Sequence, residues 1–185
     1  MIRNIASRTQ GFKITMARNI EIKAKIERIE ALVSIIASLA ATGPFDLPHH
    51  DTFFNCPLGK LKLRAFSANA GELIYYQRPE LKGPKLSIYQ ISPTNTPDSL
   101  RNTLASAYGI LGTVRKRRTL YLLGNTRFHL DHVDTLGDFL ELEVVLSENQ
   151  TATSGESFAL ELMAKIGILP SQLISTSYLE LLHKC

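Results

Sequence analysis

The sequence predicts an α+β fold in which antiparallel strands dominate and a few helices flank them. Most segments alternate apolar and polar residues with period two, between Gly, Pro and Asn turns, as strands with one buried face do. Only four segments show the spacing of an amphipathic helix. No internal repeat or low-complexity linker divides the 185 residues, so one domain with a sizeable core is expected.

Along the chain, residues 1–15 hold Arg3, Arg8 and Lys13 and no acid. That is the composition of a transit peptide, but a flexible extension ahead of a start at Met16 is the preferred reading, with the domain spanning 16–185. A strand follows over Asn19–Ile26. Ile29, Leu32, Val33, Ile36 and Leu39 predict a helix over Glu27–Ala41, stopped by Gly43 and Pro44. His49 and His50, after Pro48, read as a surface pair in a loop with no metal-ligand spacing. Lys60 to Arg64 alternates as a strand. Thr96 with Pro97 opens a second helix to about Tyr108, ended by Gly109 and Gly112. Residues 127–131 and 140–144 alternate again. A helix over Gly155–Ile166 carries Phe158, Leu162 and Ile166 on one stripe, and Ser175–His183 suits a short last helix.

Composition excludes several classes. At 44% hydrophobic and 21% charged, the chain reads as an ordinary globular protein. The longest apolar run, Ala31–Ala41, is broken by Ser34 and Ser38 and is too short to span a bilayer, so no membrane role is expected. Of the formal charge of +4, three units sit in residues 1–15; the remainder has eighteen basic and seventeen acidic residues. A basic nucleic-acid surface is therefore not expected, and no aromatic RNA-binding strand motif is present. Cys56 and Cys185 form neither a disulfide framework nor a zinc spacing, which points to a reducing, cytoplasmic setting.

The polar strand faces carry the functional signal. Successive strand residues point to opposite sides, so Asn19, Glu21, Lys23 and Lys25 share one face, as do Lys60, Lys62 and Arg64. Arg127, His129 and Asp131 share another, and Glu141 and Glu143 a fourth. With Arg78, Lys85, Lys116 and Arg118, these faces offer ten basic side chains against five acidic ones, counting Glu72. If the sheet closes with them inward, the lumen is a basic channel with an acidic patch. Burying that many charges is costly without a counter-charge. A polyphosphate with a divalent cation supplies both signs.

Asn19-Ile-Glu-Ile-Lys23 resembles the first-strand Glu-x-Glu-x-Lys signature of the CYTH superfamily, the triphosphate tunnel metalloenzymes. Val114-Arg-Lys-Arg-Arg-Thr-Leu-Tyr121 is similar to that family's Val-x-Lys-x-Arg-x-x-Tyr strand. The segment from His129 to Glu143 resembles the Leu-Asp-x-Val-x-x-Leu-Gly-x-Phe-x-Glu-x-Glu block of the class IV adenylate cyclase branch. Asp51-Thr-Phe-Phe and Ser177-Tyr-Leu-Glu-Leu-Leu182 match in place and order.

The resemblance implies an eight-stranded antiparallel barrel enclosing a triphosphate tunnel. It implies Glu21, Glu141 and Glu143 as ligands of Mg²⁺ or Mn²⁺, with Asp131 a further ligand or an acceptor behind them. Lys23, Lys62, Arg64, Arg78, Lys85, Lys116, Arg118 and Arg127 would hold the substrate. The types agree with the chemistry: hard cations take carboxylate oxygens, Arg grips phosphate bidentately and Lys acts as a point charge. The implied activity is conversion of ATP to cyclic AMP and pyrophosphate. The alternatives are hydrolysis of tripolyphosphate or thiamine triphosphate, and a non-catalytic polyphosphate- or nucleotide-binding module. No nucleic-acid or membrane partner is implied, and a homodimer is compatible. The family's first acid is Asn19 here, which removes one negative charge from the metal site.

No Gly-rich phosphate loop is present, so side chains must hold the phosphates. His129, on the charged face, is open between phosphate contact and packing, whereas His132 on the other face reads as structural. Tyr75 and Tyr76 read as barrel wall. Arg115 and Arg117 have the opposite parity to Lys116 and Arg118 and are expected in solvent. No general base is assigned beyond the carboxylates.

Overall fold

The alternation read from the sequence is realised as eight strands, each with a charged and an apolar side. A computed structural model describes residues 16–184. The proposed N-terminal extension and Cys185 lie outside them. In chain order the elements are β1 (Ala17–Lys25), α1 (Glu30–Leu39), β2 (Thr42–Phe54), β3 (Lys60–Ser67), β4 (Ala70–Gln77) and β5 (Lys85–Thr94). There follow α2 (Pro97–Tyr108), β6 (Ile110–Leu123), β7 (Thr126–Val133), β8 (Gly137–Val145), α3 (Ala152–Lys165) and α4 (Tyr178–Leu182). All strand pairs are antiparallel and close a barrel in the order β1-β5-β4-β3-β2-β6-β7-β8. Closure removes the unpaired edges an open sheet would present.

The hydrophobic core lies outside the barrel wall. Ile20, Ile22, Ala24, Phe128, Leu130, Leu140 and Leu142 point outward and are buried under α1 and α3. Leu63 and Phe54 are covered by Leu104 of α2 in the same way. A third cluster closes one end, where Tyr178 and Leu179 of α4 pack on Phe53, Val114, Val133 and Phe139. Each fully buried side chain of this kind contributes roughly 1.5–3 kcal/mol. The helices therefore do for the outer face what a second sheet does in a sandwich, and the inner face is left free to be polar.

Three local expectations are corrected. The helix predicted over Glu27–Ala41 is shorter, because the Asp138 carboxylate accepts from the Ile29 backbone N–H at 3.0 Å and fixes its start. α3 begins before Gly155: Thr151 caps it, its Oγ1 accepting from Ser154 N at 3.2 Å. Gly155 is interior because the helix crosses β1 closely; a Cβ there would lie 2.8 Å from Ile20 Cγ1. The loop expected around Pro48 is part of β2. Pro48 pairs with Arg117 of β6 on one side, and β3 pairing begins only at His50, so the missing N–H leaves no ladder bond unmade.

Candidate active site in the barrel lumen

The barrel encloses a cavity of about 330 Å³ to which all eight strands contribute side chains. β2 is four strands from β1 in either direction round the barrel, so these two strands face each other across it.

One wall is built by β1, β7 and β8. Glu21 stands opposite Glu143 in the β1–β8 register, and Glu143 opposite Arg127 on β7. One step along, Lys23 stands opposite Glu141, and Glu141 opposite His129. Directly opposed residues hold their Cβ atoms about 5 Å apart, so register alone gathers these groups. His129, Glu141 and Glu143 offer ligand atoms that all lie within 4.8 Å of one another. The His129 Nδ1 is buried without a hydrogen-bond partner among the described residues, 3.6 Å from Glu143 and 3.9 Å from Glu141. Burial, then Arg118, lowers the His129 pKa and keeps a lone pair available. Burial opposes ionisation of Glu141, but Lys23 at 2.9 Å, Lys116 and Arg118 hold its carboxyl well below the usual range. An orphaned imidazole nitrogen beside two ionised carboxylates fits a divalent cation, the carboxylates suiting Mg²⁺ or Mn²⁺. Asn19, which lines the same cavity, holds a second buried acceptor, its Oδ1, without a partner among the described residues. Glu21 lines the cavity and is ion-paired to Arg78, which follows β4.

The opposite wall holds a residue that the family resemblance included but to which sequence reasoning gave no place in the site. Asp51 is 2% exposed, accepts from Lys62 at 2.8 Å, and receives both Arg64 Nε and Nη2, at 2.8 and 2.9 Å. Burial would raise its pKa, but Arg64 and Lys62 hold it well below the usual range. Burial and the neighbouring Arg64 lower Lys62 to about 8, against the opposing pull of Asp51. The parity of Asp51, two residues beyond His49 on one face, could have found it had the segment been read as a strand. His49 is correspondingly not a surface residue: it is 5% exposed and lines the lumen, opposite Lys116.

At the closed end, Asp131 is completely buried and accepts from Lys116 at 2.6 Å and from two Arg118 nitrogens at 2.7 Å each. Arg118 also reaches Glu141 at 2.6 Å. Asp131 thus stands behind the lumen, tying down two of its cations.

Lys85, expected among the phosphate grips, is buried off the cavity with its Nζ on the carbonyls of Leu81 (3.2 Å) and Ile174 (3.4 Å). Lys25 is exposed and bonds the Leu136 carbonyl at 2.7 Å, and Lys60 pairs with Glu80 and Glu180. Among the described residues the lining therefore holds seven cations (Lys23, Lys62, Arg64, Arg78, Lys116, Arg118 and Arg127) against five carboxylates (Glu21, Asp51, Glu72, Glu141 and Glu143). That surplus is smaller than the strand faces suggested. Tyr76 lines the lumen, while Arg115, Arg117 and His132 are exposed. No helix among the described residues is long and apolar enough to cross a membrane.

Residues 17–178 match the family model for the CYTH domain. The chain is 24% identical over 167 residues to adenylate cyclase CyaB of Aeromonas hydrophila, covering 86% of this chain and 85% of that one. The structure of PH1012 from Pyrococcus horikoshii superposes with a TM-score of 0.78 at 22% identity, covering 88% of this chain and 98% of that chain. HpAC1 from Hippeastrum, whose structure is described with a dominant triphosphatase activity, superposes with a TM-score of 0.60 at 16% identity, covering 91% and 96%. With a family model matched over nearly its whole length and a closed eight-stranded barrel to go with it, this chain belongs to the CYTH domain family.

Proposed function

We propose that the chain is a metal-dependent enzyme that takes a triphosphate-containing small molecule into the lumen and acts as an adenylate cyclase, converting ATP to cyclic AMP and pyrophosphate. One observation carries most of this reading: the charge of the lining. Seven cations against five carboxylates leave two positive charges, and the buried Lys85 and Asp131 just outside the lining offset each other. A triphosphate brings roughly four negative charges, about two of them on its terminal phosphate. With one divalent cation the pair carries about two, which matches the surplus; without the cation it does not. A monophosphate bound with the same cation would carry about zero and leave the surplus unmatched, which is unfavourable.

Glu141, Glu143 and His129 would hold the metal, with Glu21 and Asn19 beside them. When bound, Mg²⁺ or Mn²⁺ would offset charge on the phosphate oxygens. Lys23, Lys62, Arg64, Lys116, Arg118 and Arg127 would bind the phosphate chain. Most of these cations are already held by carboxylates in the unliganded lumen, so little reorganisation accompanies binding. In cyclisation the ribose 3′-hydroxyl gives up its proton to solvent as its oxygen bonds the α-phosphorus, the bond from that phosphorus to the α–β bridging oxygen breaks, and pyrophosphate leaves with that oxygen. A hydrolytic reading has specific support in the triphosphatase activity described for HpAC1. A cytoplasmic setting is part of the proposal.

The test is product analysis over ATP, tripolyphosphate and AMP with Mg²⁺ and with Mn²⁺. Cyclic AMP with pyrophosphate supports the cyclase reading, and ADP with orthophosphate supports the hydrolase. Equal binding of AMP and ATP, with turnover of neither, overturns the triphosphate assignment.

A further inference from the structure

His49 sits where the lumen changes character. On the inner face of β2, Leu47 is half-buried, and His49 and Asp51 are buried. Inward of His49 lie Asp51 and its partners Lys62 and Arg64, a charged stretch. Toward the mouth the neighbours are Leu47 and Phe66, and the Phe66 ring meets the imidazole edge-on at 5.4 Å.

The His49 Nδ1 is buried and has no hydrogen-bond partner among the described residues. The carboxylates that could pair with it are committed, Asp51 to Lys62 and Arg64, and Asp131 to Lys116 and Arg118. Burial, followed by the charges of Arg64, Arg118 and Lys116, lowers its pKa strongly, so the ring is neutral. A neutral imidazole carries one N–H donor and one lone pair, whereas Lys and Arg only donate and carboxylates only accept. A phosphate chain needs donors, and the lining already supplies seven cations. A group that both donates and accepts, at the border of charged and apolar walls, suits a hydroxyl or a ring nitrogen.

We infer that His49 is the specificity-determining residue of this site: it hydrogen-bonds a hydroxyl or ring heteroatom of the organic group attached to the triphosphate, while Leu47 and Phe66 cover that group's apolar surface. The inference rests on the triphosphate reading and deepens it by naming the residue that would distinguish a nucleoside triphosphate from inorganic tripolyphosphate.

The experiment compares affinities for ATP and for inorganic tripolyphosphate in wild type, His49→Phe and His49→Asn. Ca²⁺ serves as the divalent ion, since its looser oxygen shell suits binding without turnover. His49→Phe keeps a ring against Phe66 and removes both polar atoms. His49→Asn returns an amide near the Nδ1 position. The ratio of ATP to tripolyphosphate affinity is expected to fall about tenfold in His49→Phe, the size of one lost hydrogen bond, and to recover in part in His49→Asn. Tripolyphosphate binding itself reports that each variant is folded. Equal losses for both ligands, no change for either, or a wild type that binds tripolyphosphate without preferring ATP would overturn the inference and leave the triphosphate reading standing. A wild type that binds neither overturns both.

Discussion

Tyr178 donates its phenolic hydroxyl to the Asp131 carboxylate at 3.1 Å, joining the C-terminal helix to a buried ion network on β6 and β7. The ring also lies under Lys23, whose Nζ is 3.8 Å from its centroid. Burial, then Glu141 and Asp131, raises the tyrosine pKa well above its ordinary value, so the hydroxyl remains a donor. Tyr178→Phe is expected to cost about 1.5 kcal/mol, the hydrogen bond to a charged acceptor, while the ring stays in place. Asp131→Asn is expected to cost about 3–5 kcal/mol, because Lys116 and Arg118 lose their shared counter-charge. Denaturant midpoints of the two variants measure both.

Glu141 and Glu143 have different structural duties, and their variants should separate. Glu141 holds Lys23 and Arg118 at 2.9 and 2.6 Å, whereas among the described Lys and Arg side chains Glu143 meets only the partly exposed Arg127, at 3.3 Å. Glu143→Gln should abolish metal-dependent turnover and leave the thermal midpoint near that of wild type. Glu141→Gln should abolish turnover and lower the midpoint as well. Full activity in the double variant would remove both from the metal site.

Lys62 gives the lumen a pH dependence. Its pKa is lowered to about 8 by burial first and then by Arg64. Between pH 8 and its ordinary value near 10.5, the unfolded chain binds this proton and the folded chain does not, so Lys62 makes unliganded stability rise with pH there. Ligand binding runs the other way: a bound phosphate favours charged Lys62, so affinity should fall as pH rises above 8. Calorimetry at pH 8.5 in buffers of different ionisation enthalpy should show proton uptake on binding. Lys62→Met should remove that uptake, and a wild type showing no uptake would contradict the assignment.

Asn19 is buried with its Oδ1 unpartnered among the described residues, two residues before Glu21 on the same face. Asn19→Glu adds a carboxylate beside the acidic cluster. Without metal this should lower the thermal midpoint by like-charge repulsion. With Mn²⁺ the midpoint should rise by more than in wild type, as mass action requires for tighter binding. An identical Mn²⁺-induced shift in both proteins would place position 19 away from the cation.

A chain beginning at Met16 should keep its thermal midpoint and turnover. β1 is anchored within the described residues, where Arg18 donates to the carbonyls of Ser147, Glu148 and Gln150 at 3.0–3.2 Å. Loss of either property on shortening would show that residues 1–15 contribute to the domain.

Strand parity made much of this site legible. Lys23, Lys62, Arg64, Lys116, Arg118, Arg127, Glu141 and Glu143 share inner faces because the side-chain period of a strand is two, and nothing in the barrel breaks it at those positions. Parity says nothing of height along the axis. Lys25 and Lys60 have the inward parity of their strands yet sit at strand ends, where a carbonyl or surface carboxylates take them. Lys85 is set below the lumen for the same reason. Cross-strand register was equally hidden, so His129 could not be placed opposite Glu141 without knowing how far β7 and β8 are offset. The inward parity of Asp51 and His49 was hidden by Pro48, which reads as a break and here occupies a stretch of β2 unpaired by β3.

α4 gives the barrel a floor. With Tyr178 and Leu179 packed on Phe53, Val114 and Phe139, the described residues shut the lumen at this end. On the proposed reading ATP enters phosphates first, and the products must leave by the same door in reverse order. Cyclic AMP, nearest the mouth, departs first, and pyrophosphate, deepest, departs last. Pyrophosphate left behind occupies the free enzyme's own substrate position, so it should inhibit competitively against ATP, whereas cyclic AMP should inhibit by a different pattern.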